Sequence, residues 1–311
     1  MFDKLSSILT SFFISTLFIL LTPTLASADS TKVIAFAQDT MANDFRKAQV
    51  FEVRDAIAKY PNFKFVYSNA NGKTSMLIFQ IQKFINEKVD LIIVGTNDAD
   101  AVVPVITKAY RNGIEVIMLD RGINSQEYTT FINSDNIKIG SMGAKYIAKK
   151  LNYKGNVLLF EGLLKADVTQ LRSKGFLDEM AKYKGIKVIK RTGNYLRRDA
   201  IKEMEKLIKD GIEIDAIFSE SDSMLSGARS AMHRFNIKPS SIITVGCDYT
   251  SEAKEAILRG DQTASIKFPL AGKQALEYGI EILKGKKLPK HIFIPVELVT
   301  HKNVDLVEPI F

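Results

Sequence analysis

LIIVGTNDADAVVPVITKAYRNGIEVIMLDRG, residues 91–122, holds one full repeat of the chain's plan. LIIVG (91–95) is a short apolar run, a helical stretch follows to Asn112, and EVIML (115–119) is a second apolar run. Runs this short, with no polar alternation, suit strands covered on both faces. Two such strands joined through a helix lie parallel, because the crossover returns the chain to the same end of the sheet. Asp120-Arg121-Gly122 comes directly after the second run. In open α/β sheets, ligands lie outside the carboxyl ends of the strands, so this charged pair stands where binding chemistry is expected.

The same rhythm extends in both directions. KVIAFAQ (32–38) and FKFVYS (63–68) read as strands, with helical spacing over 43–59 and 73–87. Beyond Asn133, the runs NVLLFEG (156–162), KVIKRTG (187–193), DAIFSES (215–221) and SIITVGC (241–247) are each followed by a helical stretch. The predicted fold class is α/β, with two similar Rossmann-like lobes whose parallel sheets are flanked by helices. No Ser/Gly/Pro-rich linker separates the two series, so short ordered crossovers should join them. Further polar residues stand at predicted strand ends: Asn43-Asp44-Phe45-Arg46 opens the first helix, Glu220, Ser221 and Asp222 follow AIFS, and Asp248 follows ITVGC. Any one of them is also a natural helix N-cap. Four such sites spread over two lobes favour a shared cleft.

Residues 1–28 read as an export signal. Lys4 is followed by an apolar stretch over 8–21, then Thr22-Pro23, then the small-residue cleavage pattern Ala26-Ser27-Ala28. The stretch is shorter than the roughly 20 residues a membrane-spanning helix needs, although an uncleaved anchor is the alternative. No cysteine stands near the cleavage point, so no lipoprotein anchor is expected, and the destination is the periplasm. Cys247 is the only cysteine, which rules out an internal disulfide, and its place after an apolar run suits a buried strand end.

Net charge is +8, but the lysines are dispersed, so they read as a solvated surface and no nucleic-acid partner is expected. The three histidines, His233, His291 and His301, are too far apart for a local metal motif. Asn71-Gly72-Lys73-Thr74 imitates the end of a phosphate-binding loop, but Tyr67 stands where its first glycine belongs. No catalytic residue, cofactor or metal is expected. A carboxylate pair among Asp120, Asp222 and Asp248 would need a raised pKa to act as an acid, and the neighbouring arginines are expected to keep these groups ionised.

The segments VIMLDRG (116–122), INSDN (132–136), RSKGF (172–176), SDSMLSGA (221–228) and VGCD (245–248) resemble the ribose-binding-protein branch of periplasmic sugar-binding proteins (type I fold), in order and spacing, over nearly the whole chain after the signal. The resemblance implies a three-segment hinge, with residues 29–134 and 268–297 in one lobe and 135–267 and 298–311 in the other. It also implies binding roles for Asn43, Phe45, Asp120, Arg121, Arg172, Tyr195, Ser221 (where the family has asparagine), Asp222 and Asp248. Arg46 stands where ribose binders carry a second phenylalanine, in a pattern closer to galactofuranose-type binders. The chain has no tryptophan, so Phe45, Tyr195 and Phe268 are the candidate stacking surfaces. Paired Asp and Arg side chains suit sugar hydroxyls, which both donate and accept. Arg46, Arg121 and Arg172 together also suit a sugar acid or a phosphorylated ligand. The implied function is the periplasmic sugar-binding component of an ABC importer, docking on a permease. A sensory receptor facing a membrane sensor or chemoreceptor is the alternative, followed by an exported carbohydrate-active enzyme. A monomer is the default state for this architecture.

Overall fold

The computed structural model describes residues 31–311; the expected signal, residues 1–28, lies outside them. In chain order the elements are β1 (Lys32–Gln38), α1 (Asp44–Ile57), β2 (Phe63–Asn69), α2 (Thr74–Asn86), β3 (Leu91–Gly95), α3 (Val103–Arg111), β4 (Glu115–Leu119), β5 (Thr130–Asn133), α4 (Asn136–Lys150), β6 (Lys154–Glu161), α5 (Asp167–Met180), β7 (Gly185–Thr192), α6 (Arg197–Lys209), β8 (Ala216–Ser219), α7 (Asp222–Arg234), β9 (Ile243–Asp248), α8 (Ser251–Arg259), β10 (Ala264–Lys267), α9 (Gly272–Leu283), β11 (His291–Phe293) and β12 (Glu297–Thr300). LIIVG and EVIML are β3 and β4, with the bounds read from the sequence, and they pair in parallel.

Two six-stranded sheets result, ordered β11-β5-β4-β3-β1-β2 and β12-β10-β9-β8-β6-β7. Every pairing is parallel except β10 with β12. Helices cover both faces of each sheet, which is why the central strands are apolar throughout. Leu91, Ile93, Ile34 and Phe36 pack against α1 and α9 on one face of the first sheet, while Ile92, Val94 and Ala35 pack against α2 and α3 on the other. The second sheet repeats the arrangement, with α4 and α5 on one face and α6 and α7 on the other. Strands β5, β10, β11 and β12, of three or four residues each, are too short for a periodicity to reveal them.

The chain passes from the first sheet to the second at residues 134–135, returns over 268–271, and passes again over 294–296. Helix α9 therefore packs on the first sheet, although it follows β10 of the second.

Helices α4 and α5 meet at their backbones. A Cβ at Gly140 would lie 2.0 Å from the Arg172 carbonyl oxygen, and one at Gly175 would lie 2.1 Å from that of Ile137. Glycine is what permits this approach. The carboxyl-terminal tail is tied down by Tyr249, which is fully buried and whose hydroxyl lies 3.0 Å from Val304 O and 3.1 Å from Val307 O. Tyr249→Phe should cost about 1 kcal/mol, the net worth of a hydrogen bond plus part of the desolvation of the two carbonyls. The thermal unfolding midpoint should fall by a few degrees, and an unchanged midpoint would show that the tail is held by packing alone.

Candidate ligand-binding site

Loops at the carboxyl ends of strands in both sheets surround a narrow cavity. Its lining comprises Asn43, Phe45, Arg46, Asp120, Arg121, Val168, Arg172, Tyr195, Ser221, Asp248 and Phe268. Asn43 and Ser221 cap their helices, accepting from Arg46 N at 3.1 Å and Met224 N at 3.2 Å, and they also face the cavity. For these two residues the capping and the binding roles coexist. Phe45 and Phe268 contact each other with ring centroids 5.3 Å apart, which gives the cavity an apolar wall.

Asp222 is the exception among the expected site residues. Its carboxylate turns into the second lobe, where it accepts from Gln262 Nε2 at 2.7 Å, Ser265 Oγ at 2.6 Å and the Tyr249 amide at 2.7 Å. As the first residue of α7 it points along the side of the helix that faces β9, whereas the capping residue before it faces the cavity. Asp222 therefore supports the Asp248–Tyr249 turn and does not line the site. Three residues that matter were not singled out in the sequence. Asp39 directly follows β1, where the strand-end rule would have found it. Asn136 orients Arg172 and closes the INSDN segment of the resemblance, although that segment was given no binding role; Val168 adds an apolar contact and carried no signal.

The charges are largely paired. Arg46 forms an ion pair with Asp120, donates from Nη1 to Gln49 Oε1 at 3.0 Å, and places Nε 3.9 Å from Asp39. Arg121 donates from Nη1 to Asp39 Oδ2 and to Thr96 O, both at 3.0 Å. Arg172 donates to two neutral acceptors, Asn136 Oδ1 at 2.8 Å and Glu220 O at 2.7 Å, and lies 4.6 Å from the Phe268 ring centroid. Two of the three arginines thus already hold a buried carboxylate, which weakens the expectation that together they suit an anionic ligand.

Burial pushes the Asp248 carboxyl well above its usual range, aided by the charge of Asp222 and opposed by Arg172. Burial likewise raises Asp222 to about 6, against its hydrogen bonds to Ser265 and Gln262. The arginines do not keep these two groups in the ordinary carboxylate range, because loss of water outweighs their attraction. Burial together with the Arg121 charge lowers the pKa of Arg46.

Three buried atoms of this network have no hydrogen-bond partner: Asp39 Oδ1, on a residue behind the cavity lining, and two on lining residues, the acceptor Asp120 Oδ1 and the donor Arg121 Nε. Buried polar groups are nearly always satisfied, so orphans of opposite sense in a cavity wall mark where a ligand's own donor and acceptor belong. Backbone strain lies here too. Asp120 has φ +65°, Tyr195 φ +60° and Asp248 φ +103°, all in the left-handed region that such residues enter at a cost.

The two lobes touch around the cavity. Asn43 Nδ2 donates to Tyr195 O at 2.7 Å, and the Gly122 amide donates to Asp167 Oδ2 at 2.7 Å. Burial raises Asp167 to about 6 despite that bond. Asp44 lies 3.4 Å from Arg197 and 3.3 Å from Ser223 Oγ, and Lys165 lies 3.4 Å from Asp98. Asn43 and Asp120 stand on one side of the cavity, Arg172 and Asp248 on the other.

Two α/β lobes closing a polar cavity at their strand ends define a type I periplasmic binding protein. The chain belongs to the periplasmic binding protein domain family, whose sequence profile matches residues 34–287. It is 30% identical to the ribose import binding protein of Bacillus subtilis, over 79% of this chain and 80% of that protein. An ABC transporter solute-binding protein from Bacillus halodurans with bound myo-inositol superposes with a TM-score of 0.85 at 26% identity, covering 90% of this chain and 98% of that one. The fructose-binding periplasmic domain of a hybrid two-component system superposes with a TM-score of 0.83 at 28% identity, covering 88% and 92%.

Proposed function

We propose that the chain is the periplasmic substrate-binding component of an ABC importer and that its cargo is an uncharged sugar or polyol. The observation that carries this reading is the orphan pair, Asp120 Oδ1 and Arg121 Nε. A hydroxyl group both donates and accepts, so a polyol satisfies both atoms at once. A carboxylate or phosphate has nothing to donate to Asp120 and would meet its negative charge. Phe45 and Phe268 offer apolar surface for the C–H face of a ring.

In this reading Asn43, Phe45, Arg46, Asp120 and Arg121 bind from the lobe formed by residues 31–134 with 268–296. Arg172, Tyr195, Ser221 and Asp248 bind from the lobe formed by 135–267 with 297–311, and Phe268 sits at the hinge. Ligand touching both lobes favours the closed state, which is the form a permease would engage. The ligand leaves chemically unchanged, which separates this reading from an exported enzyme. The relatives named for import favour the transporter role. The hybrid two-component neighbour supports a second reading, in which the same closure is read by a membrane sensor.

A thermal-shift screen against neutral pentoses, hexoses, furanoses and inositols, with sugar acids and sugar phosphates alongside, tests the proposal. A ligand present at about 100 times its Kd stabilises the native state by about 2.7 kcal/mol. Hits confined to neutral polyols support the reading. Hits confined to acids or phosphates overturn the assignment of the orphan pair. His233, exposed and outside the cavity lining, serves as a control whose replacement by alanine should leave any hit unchanged.

A further inference from the structure

Behind Tyr195, two acidic side chains meet with too few hydrogens between them. Glu161 ends β6 and Glu220 follows β8, its neighbour in the sheet, and both are buried. Ser173 Oγ lies 2.8 Å from Glu161 Oε1 and 3.0 Å from Glu220 Oε1. A serine hydroxyl has one hydrogen and can donate to only one of them. With both carboxyls ionised, the other contact would press oxygen lone pairs together.

Their surroundings decide where the missing proton sits. Glu161 Oε1 has the Lys190 ammonium of β7 at 2.9 Å, a half-exposed cation that pairs with it. Glu220 has no such partner. Its Oε2 accepts from the Gly162 amide at 2.8 Å and from the Tyr195 hydroxyl at 3.2 Å. The nearest guanidinium, Arg172 of α5, is bonded to the Glu220 backbone oxygen. On β9 the facing group is the buried thiol of Cys247, which burial keeps neutral. A proton on Glu220 Oε1 completes a directional chain: Glu220 O–H donates to Ser173, Ser173 O–H donates to Glu161, and Lys190 donates to Glu161. Burial pushes Glu220 up to about 7, against the pull of the Gly162 amide and Arg172.

The chain ends at the ligand cavity. The Tyr195 ring lines it, the Tyr195 hydroxyl is 2.8 Å from Thr169 Oγ1, and the Tyr195 carbonyl accepts from Asn43 of the opposite lobe. Gly162 leaves the space the ring occupies, since a Cβ there would lie 1.9 Å from Tyr195 Cζ. We infer that Glu161 and Glu220 share one proton, carried on Glu220, and that Glu220 is a positioning residue holding Tyr195 in the cavity wall, so that ligand affinity falls as pH rises. The affinity part rests on the proposed binding function; the shared proton does not.

Once the proton is lost, Glu220 Oε1 and Glu161 Oε1 compete for the one Ser173 hydrogen, Glu220 turns away and Tyr195 loses its partner; the effect on stability follows from linkage. The folded state keeps the Glu220 proton up to about 7, while the unfolded chain releases it near the ordinary glutamate value. This group's contribution to stability is therefore full below the ordinary value and is lost as pH rises through about 7.

Glu220→Gln mimics the protonated carboxyl: its amide N–H can donate to Ser173 and its oxygen can accept from Gly162 and Tyr195. Difference infrared spectra of the ligand-free protein near pH 6 should show a protonated-carboxyl band in the wild type that Glu220→Gln removes. The decline of melting temperature with pH should flatten in Glu220→Gln at near wild-type stability, whereas Glu220→Ala, which removes the same titrating group, should flatten it too but melt lower at every pH because Ser173 and Tyr195 lose their partner. A missing band, or an unchanged pH slope in Glu220→Gln, overturns the shared proton. The affinity of the wild type for a neutral sugar found in the screen should fall at least threefold between about pH 6 and 8, with little change in Glu220→Gln. A flat wild-type profile with the band present overturns the coupling through Tyr195. If no member of the sugar panel binds while the band is present, the binding function fails and the shared proton stands.

Discussion

Asp120→Asn should raise the Kd for a neutral sugar or polyol by at least ~30-fold, equivalent to about 2 kcal/mol or more. Asp120 forms the buried ion pair with Arg46, and its Oδ1 is one of the two orphan atoms in the wall. The substitution removes the charge from both contacts while keeping the shape. Asparagine is the correct probe because the residue sits at φ +65°, a conformation asparagine tolerates and alanine does not. Arg46 keeps Gln49 at 3.0 Å and Asp39 at 3.9 Å, so the protein should still fold, with some loss of stability. Calorimetric titration of the folded variant reads the effect. A Kd within threefold of wild type would show that the ligand does not use Asp120 as a charged acceptor.

The second large effect is one of packing. Gly140→Ala should destabilise the protein by roughly 1–3 kcal/mol, although alanine is the better helix former by about 1 kcal/mol. The two contributions oppose each other, and geometry decides between them. The added Cβ would meet the Arg172 carbonyl oxygen at 2.0 Å and the Phe176 amide nitrogen at 2.6 Å, both backbone atoms of α5 that cannot rotate away. Helices α4 and α5 must then separate, carrying Arg172 off its bond to Asn136 and weakening ligand binding together with stability. Ser141→Ala, on the same helix and half-buried, is the control and should be nearly neutral. Equal melting temperatures for Gly140→Ala and wild type would mean that the helix pair is looser than this contact implies.

Much of this arrangement is legible in the chain. The buried strands declare themselves because a strand covered on both faces has no polar alternation, as LIIVG and EVIML show. Polar residues at their carboxyl ends, Asp120-Arg121 and Asp248, mark the site because a parallel sheet directs all those ends to one edge. The short strands β11 and β12 stay hidden, since three or four residues carry no period. The crossing that places α9 on the first sheet has no local pattern either, and only the family resemblance, which put residues 268–297 in the first lobe, implied it.

Within the site, sequence could nominate Ser221 and Asp222 together but could not choose between them. The start of α7 decides, sending one side chain to the cavity and the next into the lobe. Sequence likewise offered three arginines for an anion, and tertiary contact gave two of them carboxylate partners, one of which, Asp39, was not singled out. The chain by itself determined the α/β rhythm, the lobes and most of the residues at the strand ends, because these depend on local apolar period and on the direction of a parallel strand. Only the tertiary structure decided which charges neutralise one another, which polar atoms remain for a ligand, and that Glu161 and Glu220 stand either side of one serine hydroxyl. Pairing energy and protonation depend on distances of a few ångströms between residues far apart in sequence, and no local pattern encodes those.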